Sequence, residues 1–165
     1  MKNVLLISIL SLALASCNSE NDGRIERLFF ENIALTLPTE NSGANVLVGK
    51  GNKTAIQFSY QHPDEENIAD DELTELFWIE IPTTTTEFNM STTNDDVSSS
   101  GIELFYVRSC YCYFEQPVNL LKKEIIGQKI SANQWQISFD IIAELNGSQY
   151  PLKDNGTYVL STFEN

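Results

Sequence analysis

From Gln134 to Leu145 apolar and polar residues alternate with little interruption. Trp135, Ile137, Phe139, Ile141, Ala143 and Leu145 share one face, while Gln134, Gln136, Ser138, Asp140 and Glu144 share the other. A period of two is the mark of a strand with one buried face. Burying the first set contributes on the order of 10 kcal/mol gross, before the entropy of ordering is subtracted. Asn146-Gly147 follows at once, and this dipeptide predicts a two-residue hairpin turn because both central positions need a positive φ.

The rest of the chain reads as further short strands. Ile33, Leu35 and Leu37 alternate and predict a strand over about 32–37, ended by Pro38, whereas Ile25, Leu28 and Phe29 sit at helical spacing and leave 25–30 open. Val46-Leu47-Val48, a loop at Gly49-Lys50-Gly51-Asn52 and a strand from Thr54 to Tyr60 predict a hairpin. Gln61 to Glu72 reads as a loop. In Leu73 to Ile81, alternation places Leu73, Phe77, Ile79 and Ile81 opposite Thr74, Trp78 and Glu80, and the β-rich end favours a strand over a helix capped by Asp70. Thr84 to Met90 predicts a strand with Phe88 and Met90 inward, and Ser91 to Gly101 is turn-like. Ile102 to Glu115 is rich in aromatic and β-branched residues. Leu120 to Ile130 reads as a weaker strand or a short helix, and Asn155-Gly156 as a turn before a terminal strand, Thr157 to Phe163. No segment keeps helical periodicity over three turns, and no internal repeat is visible. Roughly eight to ten short strands predict an all-β domain, an antiparallel β-sandwich, with a lipocalin-like closed barrel as the alternative.

One apolar run does not fit that scheme. Lys2 precedes Val4 to Leu14, which only Ser8 and Ser11 interrupt, and the run closes in Leu14-Ala15-Ser16-Cys17. It is too short to span a bilayer as a helix and ends in small residues, so residues 1–16 read as a secretory signal peptide. Leu14-Ala15-Ser16-Cys17 resembles the lipobox of bacterial lipoproteins. That resemblance implies a diacylglycerol on the Cys17 thiol, cleavage before Cys17 and an acylated N-terminus, so that the chain is held at the membrane by lipid. Asn18 in place of Asp resembles the Gram-negative pattern that permits release to the outer membrane. Glu20 and Asp22 look like the acidic export tag of Bacteroidota surface lipoproteins. Residues 17–24 then form a lipidated polar tether, and 25–165 a single domain.

Charge narrows the partners. The chain holds 10 basic and 23 acidic residues; loss of Lys2 with the signal peptide takes the net charge from −13 to −14. A surface this negative argues against nucleic acid and against adhesion to anionic headgroups, and it favours solubility, cations or a basic partner.

Few residues carry recognisable chemistry. With Cys17 used by lipid, Cys110 and Cys112 remain in an oxidising compartment. On one strand face their Cα atoms lie about 6.5 to 7 Å apart, the far edge of disulfide geometry, so the two readings are a strained bridge and a pair of buried thiols beside Leu104 and Phe114. Buried thiols are the favoured reading, because a bridge needs a bulge, for which Arg108-Ser109 is the place. Tyr111 and Tyr113 occupy the opposite face, either as an aromatic platform for a glycan or protein or packed under a loop. The acidic stretch with Asp64, Glu66, Asp70 and Asp71 offers oxygen ligands for Ca²⁺, yet it lacks the glycine of an EF-hand loop and reads better as a solvated, self-repelling loop. A single His, His62, reads as a solvated loop residue and excludes schemes that need two. No Gly-x-Ser-x-Gly or His-Glu-x-x-His motif is present, and no cofactor or metal is expected.

Three functions fit these residues. The first is a non-catalytic envelope lipoprotein that binds a protein, a glycan or another envelope component. The alternatives are a hydrolase using two carboxylates, for which no pair is singled out, and a lipocalin-like carrier of an apolar ligand.

Overall fold

A computed structural model describes residues 23–36, 46–63, 73–91, 101–109 and 118–163. The described residues form eight strands: β1 (Arg24–Thr36), β2 (Leu47–Gln61), β3 (Thr74–Pro82), β4 (Glu87–Ser91), β5 (Glu103–Ser109), β6 (Asn119–Ser131), β7 (Gln134–Leu145) and β8 (Ser148–Leu160). They join in one sheet of order β4-β6-β7-β8-β1-β2-β3-β5. There is no helix among the described residues. The expected all-β fold is the fold observed.

All neighbours pair antiparallel except β1 and β8, whose parallel register comprises only Leu28↔Val159 and Phe29↔Leu160. The sheet folds over at this seam, so β4-β6-β7-β8 lies against β1-β2-β3-β5. Phe139 of β7 meets Phe58 of β2 and Phe77 of β3, with ring centroids 5.2 and 5.0 Å apart. Strands so far apart in sheet order touch only because the two halves face each other. The far edges β4 and β5 do not pair, so the sheet is not closed into a barrel.

The interior follows from alternation. Ile137 and Ile141 of β7, Ile56 of β2, Ile79 and Ile81 of β3, and Tyr158 of β8 are essentially inaccessible. Their register neighbours across the ladders also point inward. Gly127 stands opposite Phe88 in the β4–β6 ladder, and the ring covers its bare face so closely that a Cβ there would collide with it. Phe88 then reaches Trp135, 5.9 Å away centroid to centroid.

The β1-β2-β3-β5 half is buried on its outer face as well. Phe30, Ala55, Trp78, Phe105 and Val107 form a second core there with Ile33, Leu35 and Val46. The cause is a bulge. Asn32 takes φ 59°, and Ile33 faces both Lys50 and Lys53, so Gly51 and Asn52 are extra residues on β2. Beyond it the ladder of Ile33 to Thr36 with Leu47 to Lys50 lies over the outer face, where the Leu35 amide donates to Glu80 Oε1 at 3.3 Å. Gly51 has no room for a side chain, since a Cβ would sit 2.6 Å from the Ala34 Cβ.

This pairing corrects two expectations, at Gly49–Asn52 and at Asn155-Gly156, and settles three points that the sequence left open. Residues 25–30, left open, belong to β1, which is one strand from Arg24. Gly49–Asn52 is no hairpin loop but lies within β2, because the partner of this segment is β1. Asn155-Gly156 is no turn: Asn155 faces Ser138 and Gly156 faces Ile137 inside an unbroken β8. Arg108 and Ser109 pair regularly with Glu75 and Thr74, so the bulge considered there is absent. The strand-or-helix alternative for 120–130 resolves as strand β6. Asn146 and Gly147 take φ 49° and 78°, as a two-residue turn of this kind requires.

Candidate functional site

Register brings three polar side chains into one row at the end of the β1-β2-β3-β5 half. Tyr60 faces Glu75, and Glu75 faces Arg108, all on the inner side. Glu75 occupies an inward position of the alternation that continues through Phe77, Ile79 and Ile81, so a carboxylate is carried into the rim of the core. It is 7 % exposed. A charge placed there needs partners.

It has three. The Tyr106 hydroxyl donates to Glu75 Oε1 at 2.7 Å. Arg108 Nε lies 3.4 Å from the same oxygen, and His62 Nε2 lies 3.3 Å from Oε2. Neither nitrogen makes a directed hydrogen bond, although both are buried. The Arg108 guanidinium instead stacks on Tyr150 of β8, 3.9 Å from the ring centroid, and so ties the two halves together at this end. His62 packs on Tyr60 with ring centroids 4.5 Å apart. Burial first, and then the charge of Glu75, pushes the Tyr106 phenol well above its ordinary range. The row is thus a tyrosine-rimmed ion pair at the mouth of the core, with donor capacity left over on Arg108.

A second polar group lies at the seam. Arg27 grips Asp154 with two bonds, Nε to Oδ2 at 2.8 Å and Nη2 to Oδ1 at 2.6 Å, and the Tyr158 hydroxyl donates to Oδ2 at 2.8 Å. The bond to Asp154 raises the Arg27 guanidinium further, and burial with the Asp154 charge raises Tyr158. Both Asp154 oxygens are engaged within the fold, so this group holds structure. At the opposite end from Glu75, Lys129 bridges to Glu31 at 2.8 Å. Beside it an open groove of about 390 Å³ runs between Lys50, Asn32 and the Leu160–Phe163 tail.

Cys17, Asp64, Glu66, Asp70, Asp71, Cys110, Tyr111, Cys112 and Tyr113 all lie outside the described residues. The described flanks of the acidic stretch are Pro63 and Leu73; those of the cysteine segment are Ser109 and Val118. One expectation on a described residue changes: His62 is no solvated loop residue but packs on Tyr60 and Glu75. Glu75, for which no role was expected, is a buried residue of the expected strand. Its inward position could have been read from the spacing of Phe77, Ile79 and Ile81. Its pairing with Tyr106 and Arg108 could not, since both lie more than thirty residues on, in β5. Among the described residues no group of three or more His, Cys, Asp or Glu side chains is placed to hold a metal ion.

No family model matches this chain, and no curated protein or solved structure matches it.

Proposed function

We propose that the chain is a lipid-anchored lipoprotein of the cell envelope, and that its β-domain is a non-catalytic module for binding a protein or glycan. The observation that carries this reading is the apolar run ending in Leu14-Ala15-Ser16-Cys17, which offers the Cys17 thiol for acylation. Several acyl chains at about 0.8 kcal/mol per buried CH₂ make such an anchor effectively permanent. A binding role is supported by the absence from the sequence of a recognisable catalytic motif and by Tyr111-Cys112-Tyr113, whose spacing predicts two tyrosines on one face of a strand. The net charge of −14 favours a basic or cationic partner over nucleic acid. The carrier alternative finds less support, because Phe58, Phe77 and Phe139 occupy the space between the two halves that an apolar ligand would need.

Metabolic labelling with palmitate tests the anchor. The wild-type chain takes up label and sediments with membranes; Cys17→Ser does neither. Equal labelling of both overturns the reading.

A further inference from the structure

We propose that Asn146 is a site of spontaneous covalent modification, deamidation through a succinimide, and that the fold spares Asn155, which carries the same dipeptide. The chain supplies both reacting groups, and water is the only co-reactant.

Asn146-Gly147 and Asn155-Gly156 are the two Asn-Gly pairs of the chain. In such a pair the glycine amide nitrogen gives up its proton to water and attacks the asparagine Cγ. A five-membered imide closes, and the side-chain nitrogen leaves as ammonia. Water then opens the ring at either carbonyl, which leaves aspartate or isoaspartate. No electrons are exchanged. Glycine favours the step because no Cβ crowds the attacking nitrogen.

Ring closure requires the asparagine Cα–C bond to turn until the nitrogen meets Cγ. Neither an extended strand nor a left-handed turn residue rests in that position. The rate therefore follows how readily the backbone leaves its resting state. At Asn146 it leaves readily. Asn146 and Gly147 form the β7–β8 turn, beyond the last ladder pair, Leu145↔Ser148. Nothing lies within 4 Å of where a Gly147 Cβ would stand, so the turn has room to move.

Asn155 is exposed too, so exposure does not separate the two sites. Pairing does. Asn155 faces Ser138 and Gly156 faces Ile137 inside an unbroken β8. Gln136 Nε2 donates to Asn155 Oδ1 at 2.9 Å, and Arg27 lies across Gly156 on its way to Asp154. Leu152 and Tyr158 of the same strand are buried, so freeing Asn155 means opening the core.

The two products differ in consequence. Aspartate keeps the turn, since Asp-Gly takes the same form as Asn-Gly. Isoaspartate adds a carbon to the main chain of a two-residue turn whose length sets the strand register. Tyr150, on which Arg108 stacks, follows directly in β8. Isoaspartate at 146 thus loosens the tie between the two halves at that end.

The full chain, as isolated from cells, is aged at mildly alkaline pH, with a second sample in urea. Peptide mapping by mass spectrometry follows both asparagines, and enzymatic methylation scores isoaspartate. In the folded sample Asn146 is expected to convert at least about tenfold faster than Asn155, while urea brings the two rates together. A smaller ratio, the same ratio in urea, or a folded Asn146 that stays intact while the urea sample converts overturns the proposal. Asn146→Asp should melt with the wild type. A lower melting point would assign any loosening to the added charge and overturn its assignment to the inserted carbon.

Discussion

Arg27 reaches Asp154 by lying across the bare face of Gly156, and it reaches because nothing projects there. A Cβ on Gly156 would collide with the Arg27 Nε and Cδ. The two-pronged bond that results spans the seam between β1 and β8, where the register holds only two residue pairs. Gly156 is not among the residues with positive φ, so the glycine is there for space and not for a turn.

Gly156→Ala should therefore destabilise the domain by about 1 to 3 kcal/mol, because the pinned Arg27 has to give up its bond or the strand has to shift. Urea unfolding measures it. A neutral result would show that Arg27 moves aside freely and that the fork carries little.

Arg27→Met should cost about 2 to 3 kcal/mol by leaving the Asp154 carboxylate buried without its partner. That is less than a fully enclosed pair would cost, since the Arg27 side chain is 31 % exposed. Adding Asp154→Leu should restore most of the loss. If the double variant is no better than the single one, the unpaired charge is not the cause.

Phe139→Ala should cost about 3 to 5 kcal/mol, since its ring is the one that both Phe58 and Phe77 meet. Gly147→Ala acts through a different cause. Gly147 holds φ 78° with nothing within 4 Å, so strain alone should cost roughly 1 kcal/mol. Chemical denaturation of the two variants separates packing from backbone strain, and equal losses would contradict both assignments.

Stability should fall on the alkaline side. The phenols of Tyr106 and Tyr158 are raised in the fold, whereas an unfolded tyrosine ionises near 10. Below about pH 10 their contribution is complete. Above it the unfolded chain loses protons that the folded chain keeps, so stability declines as pH rises. Tyr158→Phe should start from a lower stability and decline less steeply between about pH 10 and 11 in thermal melts. An unchanged slope would show that Tyr158 does not titrate differently in the two states. At the acid end Asp140 acts in the opposite sense. Bonds from Lys122 and Lys153 lower it, so its small contribution is lost as pH falls through its folded value.

The sequence made β7 legible down to its ends because one face is wet and the other dry, and period two survives only in that case. It was less informative on β3, where Trp78 and Glu80 are buried, and Leu76 partly so, on the outer face that the bulged end of the β1–β2 ladder covers, while Phe77, Ile79 and Ile81 fill the core. Asn146-Gly147 and Asn155-Gly156 share the same local signal, yet only the first is a turn. What separates them is Arg27, more than a hundred residues away. The Glu75 row is similar. Its carboxylate sits in an acidic stretch of sequence, and the pairings that bury it with Tyr106 and Arg108 exist only once β3 and β5 lie side by side.

The parallel seam has a mechanical consequence. β1 enters the sheet at Gly23 and β8 leaves it at Ser161, whose amide donates to the Phe29 carbonyl at 2.9 Å. A tension applied between those two points draws the strands past each other along a common axis. The seam hydrogen bonds and the Arg27–Asp154 fork then bear the load together, in shear, and do not open one after another like a zip. Under force, the shortest contact in the sheet becomes the one that sets the breaking point.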